Sequence, residues 1–119
     1  MKLRIQGNML RLRLTQKEVS CLHHHNVVES AIRFPSGRAL QYRLAGSPKA
    51  FEVTADFEYE CICILIPQTV AAAWAESSDV AIEGPPDSDL RILIEKDFQC
   101  LHKAEERDPD AYPNPVSRS

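Results

Sequence analysis

Apolar and charged residues alternate from the start of the chain. Leu3 and Ile5, then Leu10, Leu12 and Leu14, stand against Arg4, Arg11 and Arg13. A period of two describes strands with one apolar and one basic face. Gly7-Asn8 between the two runs predicts a tight hairpin. Thr15 followed by Glu18 fits a capping box. Val19 and Leu22 then open the apolar face of a short helix that ends around His23 to Asn26. A strand follows from about Val27 to Phe34 and breaks at Pro35-Ser36-Gly37. Alternation resumes over residues 38–44, with Leu40, Tyr42 and Leu44 against Gln41 and Arg43, so the pair reads as a second hairpin. Ala45 to Pro48 predicts a turn.

The same order then returns. Phe51 and Val53 mark a strand, and the run from Glu58 to Ile66 is the most strand-like stretch of the chain. It leads into Pro67-Gln68 as Arg11 to Leu14 leads into Thr15-Gln16. Pro67 suits a helix start, where its missing N–H is no loss. Val70, Ala71 and Trp74 form an apolar stripe, and Ser77-Ser78-Asp79 ends the helix. Val80 to Glu83 predicts a strand, Gly84 to Asp89 a Pro-rich turn, and Leu90 to Glu95 a last strand.

The expected fold class is therefore α+β. Two tandem strand–helix–strand–strand units, over about residues 9–50 and 58–97, form an antiparallel or mixed curled sheet packed with two short helices. Residues 1–103 are expected to make one domain, and residues 104–119 an acidic, Pro-containing C-terminal tail. At 119 residues and 44% hydrophobic, the chain can bury a core without staples. Its apolar runs are far too short to cross a bilayer as helices, and the N-terminus carries no signal-peptide pattern. The expectation is a cytoplasmic protein with no membrane partner and with Cys21, Cys61, Cys63 and Cys100 as thiols.

Charge adds one thing. Residues 1–50 carry nine Lys or Arg against two Glu, a balance of +7, and the remainder carries five against fifteen acids, a balance of −10. Such asymmetry supports either a charged site or simple attraction between the two units.

Candidate chemistry follows from these patterns. Arg4, Arg11 and Arg13 share one strand face, with Arg43 as an extension, and grouped guanidiniums match phosphate or carboxylate geometry. The plain alternative pairs them with Glu95, Asp97 or other acids of the second unit. Cys61 and Cys63, and Cys100 and His102, are spaced by two and carry soft-metal donors, and His23, His24 and His25 add three imidazoles near the end of the first helix. None of these has the spacing of a structural zinc site, so packing cysteines and exposed histidines are expected, and no metal or cofactor. No catalytic constellation stands out among the acids, and no phosphate loop or nucleophile elbow is present. The overall acidity opposes nucleic acid.

The opening Met1 to Asn8 with Leu10 to Thr15, and the closing Ile94 to Leu101 with Tyr112-Pro113-Asn114-Pro115, resemble a family of small uncharacterised bacterial proteins of about this length, known only as a domain of unknown function. The resemblance implies a bacterial, cytoplasmic, stand-alone domain and transfers no catalytic residue. A fainter similarity is to the triphosphate-tunnel proteins, in which Arg11, Arg13, Glu95 and Lys96 would line the tunnel, although the Glu-x-Glu-x-Lys element of those proteins is missing. The expected function is a non-enzymatic binding or interaction module, with a homodimer or protein partner. The alternative is a small enzyme or sensor that binds an anionic metabolite through the arginine face.

Overall fold

Gly7 adopts a φ of +55°, which a β-carbon would strain, and it folds the first alternating run back on itself. The strands on either side are β1 (Lys2–Gln6) and β2 (Met9–Leu14). Helix α1 (Gln16–His25) follows, then β3 (Val27–Arg33), β4 (Ala39–Ser47), β5 (Thr54–Glu58), β6 (Cys61–Pro67), helix α2 (Gln68–Glu76), β7 (Ala81–Glu83) and β8 (Arg91–Lys96). The computed structural model describes residues 1–98 and 110–113. The expected tail therefore lies almost wholly outside the described residues.

Both ends of α1 are set by local chemistry. The Thr15 hydroxyl accepts from the Glu18 N–H, and the Glu18 carboxylate accepts from the Thr15 N–H, so the capping box forms as the sequence predicts. Glu18 also pairs with the N-terminal ammonium of Met1. Partial burial pushes its carboxyl up, but the ammonium and the Thr15 hydrogen bonds together outweigh that and hold it below the usual carboxylate range. Asn26, at φ +63°, closes the helix in the left-handed conformation. In α2 the cap is Pro67, which lies in the extended chain one place before the helix and offers no side-chain bond.

The repeat is present, and it is wound differently from a single curled sheet. Strands β1-β2-β8-β7 form one four-stranded sheet and β3-β4-β6-β5 another. Each sheet thus takes one hairpin from each half of the chain, and each helix carries the chain from one sheet to the other. The hairpins meet through parallel pairs, β2 with β8 and β4 with β6, while every other pairing is antiparallel. The expected curled sheet is therefore overturned: these are two open sheets with β1, β7, β3 and β5 at their edges. Curling is one way to hide a single apolar face. Two sheets that contribute their apolar faces to one shared core have no need of it. Each unit also gains a leading strand, so the repeat reads hairpin–helix–hairpin.

That core shows the two-fold relation between the halves. Leu12 and Ile94, side by side in the first sheet, correspond to Ile64 and Leu44 in the second, and all four are at most 1% exposed. Val19 and Leu22 of α1 occupy the places of Ala71 and Trp74 in α2, at the same distances beyond their caps. All eight belong to one cluster of buried residues. Val70, expected on the buried stripe, is exposed.

Glu58 to Ile66 does not run as one strand. Tyr59 and Glu60 take φ of +50° and +62°, the two-residue turn that links β5 to β6. Consecutive positive φ values define the type I′ hairpin turn, which favours Asn-Gly. Neither Tyr nor Glu signals it, so the strand propensity of the flanks masks the turn in the sequence. Replacing Tyr59-Glu60 by Asn-Gly is expected to stabilise the fold by about 1 kcal/mol by relieving left-handed strain. The solvent-screened Arg38–Glu60 pair that is lost contributes little. Thermal unfolding should show a midpoint higher by roughly 4–8 °C; an unchanged or lower midpoint would refute the strain.

Candidate functional site

The arginine face is the first place to look. Parallel pairing sets Arg13 of β2 in register with Glu95 of β8, and antiparallel pairing sets Arg4 opposite Arg11 and Lys2 opposite Arg13. Residues in register share a face, so Arg4, Arg11 and Arg13 do come together. Arg13 Nε donates to Glu95 Oε1 at 2.8 Å, and Arg11 Nε lies 3.2 Å from the same oxygen. Glu95 is only 5% exposed, and the two guanidiniums are largely covered. Lys2 reaches Asp97 at 3.0 Å. Arg4 remains exposed. Arg43 is not part of this group. It stands on β4 in the second sheet, 3.8 Å from Glu29. The cations nearest the core therefore face an acid of the second half. Glu95 thus links the paired positions of β2 and β8 by one hydrogen bond to Arg13 and one ion pair to Arg11.

A closed tunnel is likewise not built, because the sheets are open and Arg11, Arg13 and Glu95 bind one another instead of lining a channel. Among the described residues, no group of three or more His, Cys, Asp or Glu could hold a metal ion. Cys61 and Cys63 do meet, Sγ to Sγ at 3.5 Å. Burial, then the hydrogen bond to Cys63, push the Cys61 thiol up, and the nearby Arg43 only partly offsets them. Cys100 and His102 lie outside the described residues.

A second site emerges only from the packing. A cleft of about 490 Å³ opens between α1, the end of α2 and the end of β8. Leu14, Val19, Ala75 and Phe98 supply apolar wall, and Gln16, Ser20, His23, His24, Ser77, Ser78, Lys96 and Asp97 supply polar groups. The Lys96 ammonium donates to the Ser77 carbonyl at 2.7 Å and sits 5.3 Å from the Trp74 ring centre, so it caps α2 and rests on its aromatic face. His23 Nε2 is 3.4 Å from Glu76 Oε1, while its buried Nδ1 has no hydrogen-bond partner among the described residues. Apolar walls with a few convergent polar groups are the usual make-up of a small-molecule site.

The two-fold relation supplies an internal control. The equivalent position on the other side of the repeat holds a cleft of about 270 Å³ lined by Ser47, Pro48, Ala50, Gln68, Thr69 and Ala72. Gln68 and Ala72 correspond to Gln16 and Ser20, and Ser47 and Pro48 correspond to Asp97 and Phe98. The counterpart of Lys96 is Gly46. There a β-carbon would sit 3.4 Å from Asn26 Oδ1 and 3.6 Å from the Gln68 Cα, so the sheet closes against the helix start. Gln68 Nε2 donates to Asn26 Oδ1 at 3.2 Å and seals it. One cleft is small and free of charged or imidazole groups, whereas the other is wide and carries Lys96, Asp97 and two imidazoles. A sequence signal for it does exist. Gln16, Ser20 and His23 recur at the helical spacing and put a polar stripe on one face of α1. Only the return of β8 beside that stripe makes it a wall.

Among the described residues, no helix is long and apolar enough to cross a membrane. No curated protein and no solved structure matches the chain. The profile of a family of unknown function, DUF7009, matches residues 1–116, nearly the full length on which the sequence resemblance rested, and the chain belongs to that family.

Proposed function

We propose that this chain is a non-enzymatic, cytoplasmic binding module whose ligand site is the wide cleft between α1, α2 and β8. The ligand class is a small amphipathic molecule, with an apolar body against Leu14, Val19 and Phe98 and one acidic group near Lys96 and His24. The observation that carries this reading is the asymmetry between the two related clefts. A purely structural repeat has no reason to widen one copy and furnish it with charged and imidazole groups. The anionic-metabolite reading of the arginine face is less favoured, because Glu95 already engages Arg11 and Arg13. Among the described residues, no further strand pairs with the open sheet edges, which suits a second copy or a protein partner.

Amide chemical-shift mapping of the full chain with benzoate, phenyl phosphate and inorganic phosphate tests the proposal. Benzoate and phenyl phosphate are expected to shift Gln16 to His24 and Ser77 to Asp97, and Lys96→Gln should weaken that response about tenfold, the loss of one charge-assisted hydrogen bond. Shifts centred on Arg4, Arg11 and Arg13 would favour the arginine face instead. No shift with any probe would sink the cleft reading.

A further inference from the structure

The two-fold relation leaves the outer edges of the two sheets unequal. Strands β3 and β7 are counterparts, and each lies at the end of its sheet. Strand β7 spans 3 residues and runs into Gly84-Pro85-Pro86, a short edge with prolines of the kind that discourages further pairing. Strand β3 spans 7 residues, and its ladder with β4 continues to Phe34, whose N–H donates to the Arg38 carbonyl. At the other end the Asn26 carbonyl accepts from the Gly46 N–H. An antiparallel ladder alternates, so the even-numbered residues bond β4. Glu29, Ala31 and Arg33 therefore turn their N–H and C=O groups to the free edge.

Charge selects the occupant of that edge. Glu29, Ala31 and Arg33 are exposed and, at a spacing of two, share one face. When two copies pair antiparallel about Ala31, each Glu29 stands opposite Arg33 of the second copy, and the two-fold axis makes this contact twice. On the other face Val28 falls opposite Phe34 and Ser30 opposite Ile32. Ile32 and Phe34, 51% and 49% exposed, then gain cover from the second copy. Pairing about Ser30 sets Glu29 against Ala31 and matches no charge. The edges β1 and β5 are not self-complementary. Paired about their midpoints, β1 sets Arg4 against Arg4 and β5 sets Asp56 against Asp56, and like charges directly opposite are destabilising.

We propose that β3 is the edge through which two copies of this chain pair, antiparallel and in register about Ala31, so that the second sheet continues across a two-fold axis. This rests on reading the open edges as partner surfaces and is independent of the cleft. Glu29 lies 3.8 Å from Arg43 in its own copy and gains a second guanidinium from the other.

Sedimentation velocity and native mass of the full chain over a concentration series test the pairing. Dimers are expected as concentration rises, with amide exchange slowing in step at Glu29, Ala31 and Arg33. Glu29→Arg and Arg33→Glu each set like charges opposite and should weaken self-association about tenfold. Both positions are exposed, so circular dichroism should match the parent. Mixed together, the two variants restore opposite charges at both contacts and should associate about as tightly as the parent. If either variant does not fold, the exchange series on the parent decides alone. A parent that stays monomeric, single variants that dimerise like the parent, or a mixture that does not associate would each overturn the pairing. Slowed exchange in Lys2–Gln6 or Thr54–Glu58 instead would overturn it too, while keeping another open edge as the partner surface.

Discussion

Replacing Glu95 by alanine is expected to destabilise the protein by about 3 kcal/mol, the low end of the range for breaking a buried ion pair. Glu95 is nearly inaccessible and takes both Arg11 and Arg13 on one oxygen. Without it, the two guanidiniums lose the carboxylate that they share at the β2–β8 pairing, in a partly desolvated site. The value sits at the low end because both guanidiniums keep about a fifth of their surface in solvent. Glu95→Gln still offers an acceptor oxygen and should fall between the two. Urea unfolding with an unchanged m-value reads the effect directly. A Glu95→Ala protein within about 1 kcal/mol of the parent would show that the arginines do not depend on this acid. It would also reopen the arginine face as a ligand site.

Trp74→Ala should cost about 3–5 kcal/mol, the usual loss for a large aromatic removed from a core. Trp74 is 3% exposed, lies in the shared cluster, and holds the place in α2 that Leu22 holds in α1. The informative variant is Trp74→Phe. Among the described residues the buried indole Nε1 has no hydrogen-bond partner, and burying such a donor costs about 1–3 kcal/mol. Phenylalanine keeps most of the apolar area and the face beneath Lys96 while removing that donor. It should therefore lie within about 1.5 kcal/mol of the parent. Denaturant midpoints separate the two outcomes. If Phe is as damaging as Ala, the N–H is satisfied in solution, or the packing depends on the larger ring.

Much of this molecule is local and therefore legible in the sequence. The capping box at Thr15 and Glu18 depends on two side chains three residues apart, and it forms as read. The Gly7 turn and the alternating faces of β2, β4 and β6 are set by backbone preference and a period of two. The Tyr59-Glu60 turn was hidden, because tertiary pairing of β5 with β6 imposes positive φ on residues that do not favour it. The end of β4 was hidden for a similar reason. Ala45 to Ser47 resembles a turn in isolation, yet it pairs in parallel with Leu65 to Pro67.

Local patterning specifies the repeated strands and helices, their apolar faces, and the grouping of Arg4, Arg11 and Arg13 on one side of the first hairpin. These depend on residues a few positions apart, where periodicity and capping act. Long-range packing is what makes the hairpins exchange partners between two open sheets. That exchange brings Glu95 between Arg11 and Arg13, sends Arg43 to the other sheet, and sets β8 beside α1 to open the cleft. Parallel pairing joins segments about eighty residues apart. Such contacts are selected by burial of the shared core, which many alternating strands could satisfy.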